Sequence, residues 1–290
     1  MDQVFAVRQV CEKAIEKGKE VFFAFMDLEK AYDRVDRGAL WDVMRIYGVG
    51  GRLLRGVQSF YASSRACVRV ADGVSDWFSV NVGLRQGCVM SPWLFNLFMD
   101  GVVREVNARM LGRGCEMVHG NETWLLSQLL FADDTALVAD SEERLSMLVK
   151  EFGRVCDRRK LNVNVGKSKV MRCANDARMG SMNVVLKGQV LEEVNMFRYL
   201  GSNVSANGGC ENEVVYRLNE GAKVLGVVNR VVRSMNVSLG AKRCLYERVV
   251  VPTVLYGAET WALRESERKK LNVFEMKCLR SMIGVSRMDS

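Results

Sequence analysis

With 290 residues and 49% hydrophobic side chains, the chain has enough apolar surface for one large domain or two, which argues against a disordered polypeptide. Nine cysteines without a C-x-x-C pair argue against a disulfide framework or a zinc module, and the single histidine, His119, leaves no imidazole-based triad or metal cage. An excess of 42 Lys and Arg over 34 Asp and Glu gives net charge +8, which suits a polyanionic partner such as nucleic acid.

Catalysis in such a chain falls to carboxylates, Lys, Arg or Tyr. No apolar run approaches the roughly 20 residues of a membrane span and no signal-peptide pattern opens the chain, so a soluble intracellular protein is expected, in nucleus or cytoplasm, with no membrane partner.

In chain order, Val4, Val7, Val10, Cys11, Ala14 and Ile15 recur at helical spacing and predict an amphipathic helix that ends at Gly18, its charged face in solvent. Val21-Phe22-Phe23-Ala24-Phe25-Met26 reads as a central strand buried on both faces and runs into Asp27. Asp36 caps a following helix, stopped by Gly48, and a second helix carries Leu53, Leu54, Val57 and Tyr61. Residues 66–70 and 77–82 read as a hairpin joined across Asp72-Gly73. The glycine-bounded loop Gly83-Leu84-Arg85-Gln86-Gly87 then leads to a long helix, with Ser91 as N-cap and Pro92 in its first turn.

Leu125 to Asp140 is two short apolar runs around a pair of carboxylates, a predicted hairpin with Asp133 and Asp134 at its tip. A helix from about Ser141 to Lys160, a strand ending near Cys173 and further short strands lead to Phe197-Arg198-Tyr199-Leu200-Gly201. From Cys210 onward the pattern is helix alone, with Pro252 expected to kink or break the second of three helices. The shift in pattern sets the domain boundary near residue 205, giving residues 1–205 and 206–290.

If the strands that end at Asp27 and carry Asp133 and Asp134 are neighbours, three carboxylates converge at one sheet edge. Hard oxygen ligands without Cys or His nearby point to Mg²⁺, with Mn²⁺ as the alternative, and two such ions roughly 4 Å apart suit in-line phosphoryl displacement. An exposed Asp-Asp turn is the simpler alternative for the pair alone.

Asp27-Leu28-Glu29-Lys30-Ala31-Tyr32-Asp33, then Arg85-Gln86-Gly87-Cys88-Val89-Met90-Ser91-Pro92, then Phe131-Ala132-Asp133-Asp134 resemble the ordered palm motifs of reverse transcriptases, in particular those of non-LTR, LINE-like retrotransposons. Phe197-Arg198-Tyr199-Leu200-Gly201 resembles their primer-grip motif, and Leu245-Tyr246 through Trp261 resembles the segment C-terminal to that motif in those polymerases. The resemblance implies an α+β right-hand palm of mixed sheet and packed helices, with partial fingers, followed by a helical thumb-like region. It further implies an RNA-directed DNA polymerase that joins deoxynucleoside triphosphates to a DNA primer on an RNA template with two Mg²⁺ ions.

Carried over by position, Asp27, Asp133, Asp134 and the Leu28 carbonyl match the metal ligands. Tyr32 matches the aromatic gate against the ribose 2′-hydroxyl, and Arg85, Gln86 and Gly87 match the loop lining the nucleotide and template pocket. Lys167 matches the proton donor to the departing diphosphate, with Lys169 as competitor. The run Arg158-Arg159-Lys160 with Lys167, Lys169 and Arg172 is alternatively a phosphate-contacting face. The motif order implies an N-terminally truncated copy lacking part of the fingers and the endonuclease of a full element, expected to extend a primer slowly. Two other readings stay open: a relic that only binds nucleic acid, and a metal-dependent nuclease.

Overall fold

The computed structural model describes residues 2–110, 115–119, 122–175 and 182–285. They form two compact units, Glu20–Arg172 with Arg178–Val194, and Met1–Lys19 with Cys173–Ala177 and Asn195–Ser290.

The first of these is built on a five-stranded sheet in the order Glu192–Glu193, Lys169–Cys173, Val21–Met26, Asp134–Ala139, Gln128–Phe131. Val21–Met26 holds no polar side chain and all six residues are buried, as a central strand covered on both faces requires. Period-two alternation splits it: Phe22, Ala24 and Met26 join Leu137 and Ala139 in one core, into which the helices Arg37–Ile46, Ser91–Arg109 and Glu142–Arg158 place Leu40, Phe95, Phe98, Leu148 and Phe152. Burial of these large side chains contributes roughly 1.5–3 kcal/mol each, so this core holds the sheet edge where the carboxylates lie.

Ser141 caps the Glu142–Arg158 helix by accepting from the Arg144 N–H, and Asp36 caps Arg37–Ile46 by accepting from Ala39. Ser91 differs from expectation. The Ser91–Arg109 helix starts at Ser91 itself with Met90 as cap, and the Ser91 hydroxyl donates instead to the Arg85 carbonyl at 2.7 Å. The hairpin ahead of it is also shifted: Val70 pairs with Gly73, so its tip is Ala71-Asp72, one residue before the predicted turn.

The other unit contains the Asp2–Glu16 helix, the hairpin of Met196–Tyr199 and Ser202–Ser205, and the helices Glu211–Arg233, Leu239–Leu245, Val251–Val254 and Glu265–Ile283. Arg8 corrects the expectation of a solvated charged face, because it is buried and donates to Cys210 Sγ, Ser202 Oγ at 3.0 Å and the Asn203 carbonyl at 3.1 Å. Those bonds tie the first helix to the hairpin. Before Pro252 the chain widens to a π-turn over Tyr246–Val250, in which Val251 donates to the Tyr246 carbonyl five residues back. Proline cannot supply the next helical N–H, and the helix resumes only over Val251–Val254.

Candidate active site

The register of the two central strands brings the carboxylates together. Phe22 pairs with Ala139 and Met26 with Thr135, so the ladder ends with Asp27 one residue beyond Met26 and Asp134 one residue before Thr135. Residues directly opposite in an antiparallel pair project to the same face. Phe131 pairs with Asp134, leaving Ala132 and Asp133 as a two-residue turn in which Ala132 takes φ 54. A left-handed alanine costs on the order of 1 kcal/mol, a strain held here by the paired strands on either side.

Main-chain bonds fix the other side of Asp27. Its N–H donates to the Ser168 hydroxyl at 3.1 Å and its carbonyl accepts from Asn164 at 2.8 Å, while Glu29 N–H donates to the Asn162 carbonyl at 2.8 Å. Leu28 thus forms an antiparallel bridge with Val163 whose bonds come from its neighbours. Its own N–H and carbonyl point the opposite way, to the side where Asp134–Ala139 pairs.

Burial raises the Asp27 carboxyl above its ordinary value, Lys167 opposes that rise, and the Asp133 and Glu29 charges add to it. Burial likewise raises Asp134, followed by the charges of Asp133 and Asp27. All three carboxylates therefore stand within one another's field. Among the described residues they do not close into a ready-made ligand cluster. Their fit to divalent cations rests on donor chemistry: hard oxygens, mutual repulsion that a cation relieves, and a Leu28 carbonyl on the same side.

Lys167 has no carboxylate within ion-pair distance among the described residues, whereas its neighbours in the basic run are engaged. Arg158 and Arg159 pair with Glu105, Lys160 with Asp36, Arg172 with Glu20, and Lys169 with Glu192 at 2.6 Å.

Tyr32 stacks on Phe95, ring centroids 4.4 Å apart and planes 13° apart, and lies near enough to Asp133 for that charge, after burial, to raise its phenol pKa. The Arg85-Gln86 loop is laced to the same segment. Gly83 N–H donates to the Val35 carbonyl at 2.9 Å and Leu84 N–H to the Tyr32 carbonyl at 2.8 Å. At Gly83, φ 81, a Cβ would stand 2.6 Å from the Asp33 carbonyl oxygen, so only glycine permits this approach. Gln86 Nε2 then donates to Asp33 Oδ1 at 3.0 Å, and the Arg85 guanidinium lies 4.2 Å from the Phe60 ring centroid while donating to Ser64 Oγ. Gly87 closes the loop at φ 78. Arg85 and Gln86 line an open cleft of about 900 Å³ with Asp33, Arg37, Ser64 and Trp77.

Ser168 and Arg37 escaped sequence reasoning, whereas Asp33, read as a cap or surface residue, and Ser91, read as an N-cap, instead bond the loop. The Arg37 guanidinium donates to the carbonyls of Gly83 at 2.9 Å, Val80 at 2.8 Å, Val82 at 3.2 Å and Tyr61 at 3.3 Å. One signal was present. A cation in the first turn of a helix opposes the helix dipole, so Arg37 directly after the Asp36 cap has to be compensated elsewhere.

Residues 2–204 match the family described as reverse transcriptase (RNA-dependent DNA polymerase). The chain is 26% identical over 243 residues to a 115 kDa protein of the type-1 retrotransposable element R1DM of Drosophila melanogaster, covering 83% of this chain and 22% of that protein. It is 22% identical over 293 residues to the RNA-directed DNA polymerase from mobile element jockey of the same species, covering 98% of this chain and 30% of that protein. Its fold matches telomerase from Candida albicans, solved in complex with a fragment of telomeric RNA, with TM-score 0.52 and 12% identity over 99% of this chain and 51% of that one. The chain belongs to the reverse transcriptase family, with relatives among non-LTR retrotransposon proteins, and carries that family's α+β right-hand fold.

Proposed function

We propose that the chain is an RNA-directed DNA polymerase, in which a primer 3′-hydroxyl attacks the α-phosphorus of a deoxynucleoside triphosphate opposite an RNA template and diphosphate departs. The observation that carries this reading is the pairing register that ends at Met26 and Thr135, one residue short of Asp27 and Asp134, with Asp133 in the adjoining turn and its charge acting on both.

In this reading Asp27, Asp133, Asp134 and the Leu28 carbonyl hold two Mg²⁺ ions, with Mn²⁺ as a substitute. When bound, such ions lower the pKa of the attacking hydroxyl and neutralise the leaving diphosphate. The protein's own groups position and exclude. Lys167, with no carboxylate within ion-pair distance among the described residues and held by the Asn164 turn through its N–H at 3.2 Å, gives a proton to the departing diphosphate. Lys169 is committed to Glu192 and the Gly166 carbonyl, which makes it the poorer candidate. Tyr32, flat on Phe95, fills the space a 2′-hydroxyl would need, and Arg85, Gln86 and Gly87 line the nucleotide and template side. Residues 1–205 then serve as palm with partial fingers and residues 206–290 as the thumb-like region.

A labelled DNA primer annealed to RNA, incubated with the chain, Mg²⁺ and the four deoxynucleoside triphosphates, separates this from its rivals. Stepwise extension supports the polymerase. Cleavage without extension would make the site a nuclease, and binding alone would make it an inactive relic.

A further inference from the structure

Ser168 is fully buried, and its hydroxyl makes two bonds that close a clamp on the strand ending at Asp27. It accepts from the Asp27 N–H at 3.1 Å and donates its single proton to the Asn164 carbonyl at 2.7 Å. Asn164 grips the same residue from its other side. Its N–H donates to the Asp27 carbonyl at 2.8 Å, and its carbonyl also accepts the Ser168 N–H at 3.0 Å. The N–H and the carbonyl of Asp27 are therefore both held by one short loop, Asn164 to Ser168.

That loop carries Lys167. Asn164 Oδ1 accepts from the Lys167 N–H at 3.2 Å, whereas the following cation, Lys169, is drawn aside to Glu192 at 2.6 Å and the Gly166 carbonyl at 2.8 Å. Burial raises the Asp27 carboxyl and the Lys167 charge opposes that rise, so the ammonium stands in the field of the carboxylate. A lysine head rides on a flexible four-carbon stem, and its reach is set by where its main chain is anchored. Here that anchor and the main chain of Asp27 are joined through two residues, Asn164 and Ser168.

We propose that Ser168 and Asn164 are positioning residues that fix the reach of Lys167 relative to Asp27, so that attack and departure at phosphorus are served at one set spacing. The proposal rests on the polymerase reading. In that reaction the primer 3′-oxygen bonds to the α-phosphorus and its proton passes to solvent. The bond from the α-phosphorus to the bridging oxygen breaks, that oxygen takes a proton from Lys167, and water reprotonates the lysine afterwards. Misplacing a reacting group by about 1 Å can cost on the order of a hundredfold, so loosening the clamp is felt in the chemical step even though neither residue touches the nucleotide.

The test is single-turnover addition of one deoxynucleotide to a DNA primer on an RNA template, using the natural triphosphate and two analogues. A β,γ-methylene bridge makes the diphosphate a poorer leaving group, and a β,γ-difluoromethylene bridge makes it a better one. Ser168→Ala is expected to slow the natural triphosphate about tenfold, the methylene analogue more and the difluoromethylene analogue less, because a poor leaving group leans hardest on its acid. Primer–template affinity stays at the wild-type value. In a chain already carrying Lys167→Ala, Ser168→Ala is expected to cost nothing further, since two residues acting through one group are not additive. Asn164→Ala releases only the exposed Lys167 N–H and so keeps the fold; it is expected to show the same leaving-group pattern at about threefold, and it decides the matter if Ser168→Ala melts below the assay temperature. Equal slowing of all three triphosphates, or a full additional loss in the Lys167→Ala background, overturns the positioning role. A wild-type rate in either variant removes that residue from it and leaves the polymerase reading standing. Absence of extension by the wild-type chain overturns the polymerase reading and this proposal with it.

Discussion

Asp134 and Asp27 illustrate how a site that suits a cation costs the metal-free fold. Both carboxyls are raised above their ordinary value, by burial first, so the folded state binds their protons more tightly than the unfolded chain does. Stability from this source therefore falls as pH rises through the raised value, and at neutral pH the ionised pair opposes folding. Asp134→Asn is expected to raise the melting temperature of the metal-free protein at neutral pH, with the gain shrinking as the pH is lowered into the carboxylate range. Thermal melts of the two proteins across pH check the sign. A lower melting temperature for the variant at neutral pH would mean the carboxylate is stabilised by partners. The same logic separates two lysines that sequence spacing left in competition. Lys167→Ala is expected to slow a single turnover of nucleotide addition by about a hundredfold, within the usual range for losing a general acid. Lys169→Ala removes a partly exposed pair with Glu192 and is expected to leave that rate near wild type. At Tyr32, substitution by Val opens the space beside Phe95 and is expected to raise ribonucleotide incorporation relative to deoxynucleotide, read as the ratio of kcat/KM values.

At the scale of elements, the nucleotide-side loop depends on lacing that originates in a helix. Arg37 sits in the first turn of Arg37–Ile46 and reaches carbonyls at Tyr61, Val80, Val82 and Gly83, drawing a helix end, a strand end and the loop entrance into one point. Arg37→Met keeps the aliphatic stem and removes the fork, leaving carbonyls without donors. It is expected to cost about 2 kcal/mol of stability and to raise the nucleotide KM more than it lowers kcat, since the carboxylate edge is held by other bonds. Equal loss in both parameters would place the effect in the fold at large. These dependences were hard to read from sequence, because a guanidinium's partners here are main-chain carbonyls up to 46 positions away. The elements themselves were legible where one signal dominated. Val21–Met26 has no polar residue to contradict a buried strand, and the Asp-Asp hairpin is bounded by apolar runs of strand length. Ser91 was misread as a cap since a hydroxyl next to proline satisfies the local rule, yet a non-local carbonyl at Arg85 claimed it.

For the whole molecule, the carboxylates were recognisable from motif order, but their convergence needed the ladder that pairs Met26 with Thr135, a contact across 109 positions that no local pattern encodes. Arg8 shows the same limit from the other direction: its place on an amphipathic helix suggests solvent, and the hairpin it binds lies almost two hundred residues away. The chain spans 22% to 30% of the length of the R1DM and jockey proteins it matches, so the chemistry assigned to it has to be shown on this chain. The most direct measurement is single-turnover extension of a DNA primer on an RNA template in Mg²⁺, comparing wild type with Asp27→Asn, Asp133→Asn and Asp134→Asn at matched occupancy of the primer–template. The three-carboxylate site predicts metal-dependent, template-directed extension by the wild-type chain and a fall of roughly a thousandfold in each variant while primer–template binding persists. Extension at the wild-type rate by any one of the three would contradict it.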